Sequence, residues 1–165
     1  MRVFAIDPGN TESAYCVIDA DTLRPLVFDK VQNEVLRHRI IDFRFEEEDR
    51  AVVEMIQSYG MAVGKDVFDT AVWIGRFLER LDRKLLLPAD TLFRKEEKLH
   101  ICHDSRAKDA NIRRALIDRF ARHDFKNGRG TKGNPDWFYG FRADIWQSYA
   151  LGITYIETRL KDEIP

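Results

Sequence analysis

Apolar runs near the start of the chain alternate with short polar turns. Residues 2–7, 14–19 and 23–29 are mostly apolar and are separated by turn-forming residues. This pattern is typical of strands joined by short turns, so we predict an antiparallel meander at the N-terminus. A further apolar run, residues 51–57, encloses the single acid Glu54 and predicts another buried strand.

Later segments repeat apolar residues every three or four positions, which is the spacing of an amphipathic helix. Helices are predicted over residues 65–86, 106–123 and 142–160, and a helix is favoured over 31–46. Residues 99–103 are predicted to form a short strand, and Ser105 is expected to cap the next helix. This order of elements indicates a single α/β domain over residues 1–165. The 65–86 helix has two apolar stripes, the second of which is a candidate dimer surface, although a second core-facing surface explains it at least as well.

Composition changes this picture little, but the distribution of charge changes it more. The formal net charge is −1, yet residues 104–142 contain ten Lys or Arg against five Asp or Glu. Such a segment fits a surface that follows a phosphate backbone, although a solvated helix and loop explain it equally well. No apolar run has the length of a transmembrane helix or a signal peptide. We therefore expect no membrane association and an intracellular protein.

Two apolar strands each end near one acid, and a third acid opens the last helix. Asp7 closes the first strand, and Glu54 lies alone in an apolar run, where an unpaired carboxylate is costly. Asp144 begins the last helix, and Gln147 lies on the same face one turn later. Structural ion pairs could account for Glu54, and a favourable helix dipole for Asp144.

Three converging carboxylates need cations to offset their mutual repulsion. Oxygen ligands of this kind suit Mg²⁺ or Mn²⁺, and two such ions can activate water and stabilise the leaving oxygen in phosphodiester hydrolysis. We therefore predict that Asp7, Glu54 and Asp144 hold two Mg²⁺ or Mn²⁺ ions in a nuclease site. No small-molecule cofactor is expected.

Three stretches resemble the RuvC-like Holliday junction resolvases of the ribonuclease H-like superfamily, in particular the shorter versions from phages of Gram-positive bacteria. They are VFAIDPGNTESAYCVID, VVEMIQ and ADIWQSYALGITYIE, of which the first is the most specific. The resemblance implies an α/β fold with a mixed five-stranded sheet, its first three strands antiparallel, helices on both faces and Asp7 on the central strand. It also implies a homodimer in the cytoplasm of a bacterial host cell that cuts four-way DNA junctions.

The resemblance also bears on individual positions. The family commonly carries a second acid where this chain has Gln147, so a catalytic position departs from the family pattern, and Ser148 or Asp136 could assist instead. Lys108 falls where the family places a basic residue near the phosphates, which implies a catalytic role, although a surface lysine is an equal alternative. Tyr59 and Met61 could insert at the junction centre or pack in the core. The predicted DNA-binding residues are Lys108, Arg113, Lys126, Arg129, Lys132, Tyr59 and Met61.

Three functions of different classes follow from these features. The first is a metal-dependent endonuclease for Holliday junctions and other branched DNA. The second is a junction-binding protein of the same fold without cleavage activity, supported by Gln147. The third is a fragment of an ATPase, because Asp-x-Gly-x-Thr openings also occur in actin and sugar-kinase folds. Two features argue against the third function. The chain is short for an enzyme that needs two domains, and its sequence shows no second Gly-rich turn that would bind phosphate.

Overall fold

The computed structural model describes residues 1–57, 60 and 63–161. Within this part of the chain, one sheet is formed by β1 (Arg2–Asp7), β2 (Glu12–Asp19), β3 (Pro25–Gln32), β4 (Arg50–Met55) and β5 (Asp90–Phe93). The helices are α1 (Asn33–Asp42), α2 (Lys65–Asp82), α3 (Arg94–Cys102), α4 (Asp109–Phe120) and α5 (Ile145–Arg159).

The five strands follow the order β3-β2-β1-β4-β5, with β1 in the centre. The first three strands pair antiparallel, and β4 and β5 join them in parallel. Residues 3–6 are all buried, as expected of a strand that is covered on both faces. The predicted mixed five-stranded α/β sheet is therefore confirmed.

Helices cover both faces of the sheet and create two apolar cores. On one face α5 packs with α3 and α4, and Tyr149 lies at the centre of that core. On the other face α1 and α2 contribute Leu36 and Phe77. Gly152 allows α5 to approach the sheet closely, because a Cβ at this position would lie only 3.1 Å from the Cβ of Ala5.

The strand predicted over residues 99–103 is wrong. This segment is the end of helix α3, and the fifth strand is β5, which precedes that helix. The strand β5 shows little apolar pattern because Leu92 is its one buried residue. Five residues with a few apolar side chains are too short a window to distinguish a strand from the last turns of a helix.

Several other element boundaries differ from the prediction by a few residues. The strands β2 and β3 are longer than predicted because they pair as one hairpin up to Gln32, so α1 begins only at Asn33. The N-cap of α4 is Lys108 rather than Ser105. Helix α2 ends about one turn earlier than predicted. No helix in the described residues is long and apolar enough to cross a membrane.

Candidate active site

A tightly held turn follows β1 and fixes the position of Asp7. The backbone N–H of Gly9 donates to Ser13 Oγ at 3.1 Å, and Asn33 Nδ2 donates to the carbonyl oxygen of Gly9 at 2.9 Å. Ser13 also donates to Asn33 Oδ1 at 2.6 Å. A Cβ at position 9 would collide with the carbonyl oxygen of Glu12, so this turn requires glycine. The Asp-Pro-Gly-Asn opening therefore has a structural reason.

Asp7 and Glu54 meet at the carboxyl ends of two parallel strands. Ile6 of β1 pairs with Val53 of β4, which brings the next residue of each strand side by side. The two carboxyl groups are close enough for each to affect the pKa of the other. Burial, and then the charge of Glu54, raise the pKa of Asp7 well above its ordinary value. Burial also raises the pKa of Glu54, although the nearby Arg94 opposes this effect.

Helix α3 adds Arg94 and Glu97 to this site. The Arg94 guanidinium lies 3.5 Å from Glu54, 3.0 Å from Glu97 and 2.5 Å from Asp109. The Glu97 side chain is 0% exposed, and its carboxyl group lies close enough to that of Glu54 for each to affect the pKa of the other. Burial, and then the charge of Glu54, raise the pKa of Glu97 well above its ordinary value. Asp7, Glu54 and Glu97 therefore form a continuous row of carboxyl groups.

Asp144 reaches the same row from the N-cap position of α5. Its charge acts on Asp7, and its Oδ2 accepts a hydrogen bond from Lys30 Nζ of β3 at 2.6 Å. The preceding residue, Ala143, has φ of 42°, in the left-handed region that is unfavourable for a residue with a Cβ. Gln147 is 8% exposed, and its Oε1 has no hydrogen-bond partner among the described residues.

These acids form one group, which we call the acid cluster: Asp7, Glu54, Glu97 and Asp144. With Asp109 they make five carboxyl groups, four of which contact one of two cations, Lys30 or Arg94. The excess of acids, and the unpartnered Oε1 atoms of Glu97 and Gln147, suit the oxygen-binding ions Mg²⁺ and Mn²⁺. The donor set therefore fits such ions by its chemistry.

In the structure, two cationic side chains already contact carboxyl oxygens of the acid cluster. Among the described residues, no group of three or more His, Cys, Asp or Glu side chains is arranged so that it could hold a metal ion. Lys30 contacts Asp144, and Arg94 contacts Glu54 and Glu97. Binding of a divalent ion would therefore require the carboxyl groups to draw together and these two cations to move away from the carboxyl oxygens.

Two of the predicted DNA-binding residues lie beside the acid cluster. Arg113 lines an open groove of about 360 Å³ that also includes Asp144, and its guanidinium lies 4.8 Å from the ring centre of Trp146. Lys108 is exposed at the start of α4, next to Asp109. Arg113 can therefore reach a phosphate that approaches this groove, and Lys108 is exposed next to Asp109, which also lines it.

Lys126, Arg129 and Lys132 lie on a loop that is held by two aspartates. Asp136 accepts hydrogen bonds from the backbone N–H groups of residues 122, 123, 124 and 137, and Asp124 accepts from those of residues 127, 129 and 130. The three cations are exposed, and no ion pair within the described residues involves them. They remain available for phosphates.

Two other predicted positions, Asp136 and Ser148, do not join the acid cluster. The Asp136 carboxylate is occupied by backbone donors, and Ser148 Oγ donates to the carbonyl oxygen of Ile145 at 3.0 Å. Both side chains are therefore committed to local structure. Tyr59 and Met61 lie outside the described residues.

Sequence reasoning missed four charged residues at this site: Lys30, Arg94, Glu97 and Asp109. Glu97 belongs to the run Arg-Lys-Glu-Glu-Lys, which is typical of a solvated helix face. Its neighbour Glu96 is of the same type but is half-buried and pairs with Arg159 instead. The pattern offers no signal that would single out the buried member of this pair.

No family model matches the chain, and no curated protein matches it. Among solved structures, it is similar to RuvC from Thermus thermophilus, with a TM-score of 0.69 and 15% identity over 98% of this chain and 97% of that chain. It is also similar to T. thermophilus RuvC in complex with a Holliday junction substrate, with a TM-score of 0.69 and 16% identity over 98% of this chain and 96% of that chain. At this level of identity the likeness establishes the fold, and the chain has a RuvC-like fold.

Proposed function

We propose that this protein is a metal-dependent endonuclease that cleaves Holliday junctions and other branched DNA. The observation that carries the proposal is the meeting of Asp7 and Glu54 at neighbouring strand ends, beside Asp144 from α5. This arrangement occurs in a fold shared with RuvC, which has been solved with a Holliday junction substrate. That neighbour supports branched DNA as the substrate.

In this proposal the acid cluster holds two Mg²⁺ or Mn²⁺ ions through Asp7, Glu54 and Asp144. Bound ions of this kind activate water and stabilise the leaving oxygen of a phosphodiester. Arg113 and Lys108 attract phosphates to the groove beside the acid cluster. Excess negative charge in the acid cluster repels the phosphates of DNA until cations offset it, so productive binding depends on metal.

A second candidate function is junction binding without cleavage. Gln147 brings no charge to the site, and Lys30 and Arg94 already contact the carboxyl groups of the acid cluster. These observations favour a site in which the protein's own cations replace metal ions.

A labelled four-way junction separates the two candidates. The junction is incubated with the protein in Mg²⁺, in Mn²⁺ or in EDTA, and a linear duplex of the same sequence is the control for structure selectivity. An endonuclease nicks the junction in the presence of either ion and leaves it intact in EDTA. A shifted but intact junction under all conditions would overturn the endonuclease proposal and support the binding protein.

Paired cuts in a four-way junction need two active sites, so a homodimer is part of the proposal. Helix α2 buries Ile74, Phe77 and Leu81 against the sheet. It leaves Phe68 63% exposed and Val72 53% exposed. We take this exposed apolar stripe of α2 as the candidate contact between two copies of the chain.

A further inference from the structure

Glu97 is a buried acid with one unpartnered oxygen. Its Oε2 accepts a hydrogen bond from Arg94 at 3.0 Å, whereas its Oε1 has no hydrogen-bond partner among the described residues. A buried carboxyl oxygen without a donor is unfavourable. Arg94 could satisfy both oxygens with a two-pronged contact, but it directs its other nitrogen to Asp109 at 2.5 Å. The ion pair with Arg94 therefore does not account for Glu97 Oε1.

A second buried oxygen without a partner belongs to Gln147 on α5. An amide oxygen can complete the coordination of a cation, but it contributes no negative charge. Helix α3, which carries Glu97, packs directly against α5. The resemblance leads us to expect an acid on α5, but this helix carries the neutral Gln147. The neighbouring helix α3 carries an additional carboxylate, Glu97.

We propose that Glu97 supplies the carboxylate that Gln147 does not, and that it is a ligand of a divalent cation together with Asp7 and Glu54. Arg94 occupies the oxygens of this site when no ion is bound, and it moves aside when the ion enters. This inference rests on the proposed function, which specifies a divalent ion. It adds a ligand from α3, a helix that the resemblance does not assign to the site.

Mn²⁺ binding to the protein alone, followed by electron paramagnetic resonance without DNA, tests this assignment. Glu97→Gln should weaken Mn²⁺ binding about tenfold or more, because it removes a charged ligand. Glu96→Gln is the matched control, since it makes the same change at the adjacent residue of α3, and it should bind like the wild type. Wild-type affinity in Glu97→Gln, or no Mn²⁺ binding by the wild type, overturns the proposal.

Two further variants distinguish a ligand from a structural acid. Glu97→Asp keeps the charge near Arg94 but shortens the side chain by one methylene group, so this variant should also bind Mn²⁺ more weakly. It takes the place of Glu97→Gln if that variant does not fold. Gln147→Glu, added to Glu97→Gln, restores a carboxylate from α5 and should recover most of the lost affinity. An absence of recovery in a folded double variant contradicts the proposed exchange of roles.

Junction cleavage by the wild type is scored separately from metal binding. Glu97-dependent Mn²⁺ binding by a protein that does not nick junctions would overturn the proposed function and leave this inference standing. Junction nicking by a protein whose Mn²⁺ affinity is the same in wild type and Glu97→Gln would overturn the inference alone.

Discussion

At the scale of single residues, buried carboxyl groups in this protein have opposite electrostatic surroundings. Asp136 is surrounded by backbone N–H groups, which stabilise its negative charge. Asp7 faces the carboxyl group of Glu54, which destabilises its charge. Loss of solvent contact raises the pKa of both residues, so the neighbouring groups decide the outcome. Asp136 stabilises the fold, whereas Asp7 lowers stability in a way that is typical of functional sites.

Asp7→Asn should reduce junction cleavage about 100-fold or more while leaving junction binding intact. It should also raise the melting temperature of the metal-free protein, because it removes one of several buried, mutually repelling acids. Cleavage gels, mobility shifts and thermal melts in EDTA measure these effects. Asp118→Asn, at an exposed position on α4, is the control and should leave cleavage unchanged. Wild-type cleavage by Asp7→Asn would contradict the role given to Asp7.

Asp136 should make the stability of the protein sensitive to acid. Burial alone would raise its pKa, but the backbone donors outweigh burial and hold the pKa well below its ordinary value of 3.8. A group with a lowered pKa in the folded state contributes stability above its unfolded pKa and loses that contribution as the pH falls below it. The free energy of unfolding should therefore decrease as the pH falls below 3.8.

Asp136→Asn isolates this contribution. The variant should lower the free energy of unfolding by about 2 kcal/mol at neutral pH, because a charged acceptor of several N–H groups is lost. The difference between wild type and variant should shrink in acid, where the wild-type carboxylate becomes protonated. Urea unfolding at neutral and acid pH measures both values. An equal difference at the two pH values would rule out a contribution from the charge.

At the scale of elements, α5 forms the centre of the larger core. Every residue from Ile145 to Ile156 is buried, so this helix is covered on all sides. It contacts β1 and β2, and Gly152 lies where the helix comes closest to the sheet. The position of α5 therefore determines where its N-cap residue, Asp144, lies relative to the other carboxyl groups of the acid cluster.

Gly152→Ala should destabilise the protein, although alanine favours helix formation. The new Cβ would lie 3.1 Å from the Cβ of Ala5 and would collide with Ile18 Cδ1. Overpacking of this kind costs about 1–3 kcal/mol. Gly75→Ala on α2 is the matched control, because a Cβ there meets no atom within 4 Å, and it should stabilise by about 1 kcal/mol. Urea unfolding of both variants should give opposite signs, and a stabilised Gly152→Ala would contradict the close approach of α5.

At the scale of the whole molecule, two different surfaces carry the proposed contacts. Arg113 and Lys108, near the acid cluster, have no acidic partner among the described residues, as expected of a surface that meets phosphates. The exposed apolar stripe of α2 lies on the helix layer that covers the opposite face of the sheet. The proposed DNA-binding surface and the proposed subunit contact therefore lie on different parts of the molecule.

The basic loop should contribute mainly to the salt dependence of junction binding. Replacement of both Arg129 and Lys132 by alanine should decrease the slope of log K against log salt by about 2, because about one counterion is released for each phosphate contact. Fluorescence anisotropy with an uncut junction in EDTA, over a range of salt concentrations, measures this slope. Replacement of Arg83 and Lys84 beyond α2 makes the same change of charge and should leave the slope unchanged. Equal effects of the two double variants would remove the loop from the DNA-binding surface.

The exposed stripe of α2 should determine the oligomeric state. Light scattering should give the wild type twice the chain mass of 19.4 kDa. Phe68→Glu should give a monomer, because it places a charge at the centre of an apolar contact. Leu26→Glu makes the same kind of change at another exposed apolar residue, on β3, and should remain dimeric. A dimeric Phe68→Glu would exclude this stripe as the interface.

Apolar periodicity predicted the central strands, the long helices and the convergence of Asp7 with Glu54. The prediction of convergence succeeded because β1 and β4 are neighbouring parallel strands, and such strands bring their terminal residues to the same edge of the sheet. The short edge strand β5 was missed, since a single buried residue makes no pattern. Glu97 and Arg94 were missed because local sequence does not decide which charged residues of α3 face inward. A helix of mixed charges has no apolar face strong enough to fix its rotation about its own axis. The packing of α3 against α5 and beside β5 decides this rotation, and it directs Glu97 toward the acid cluster.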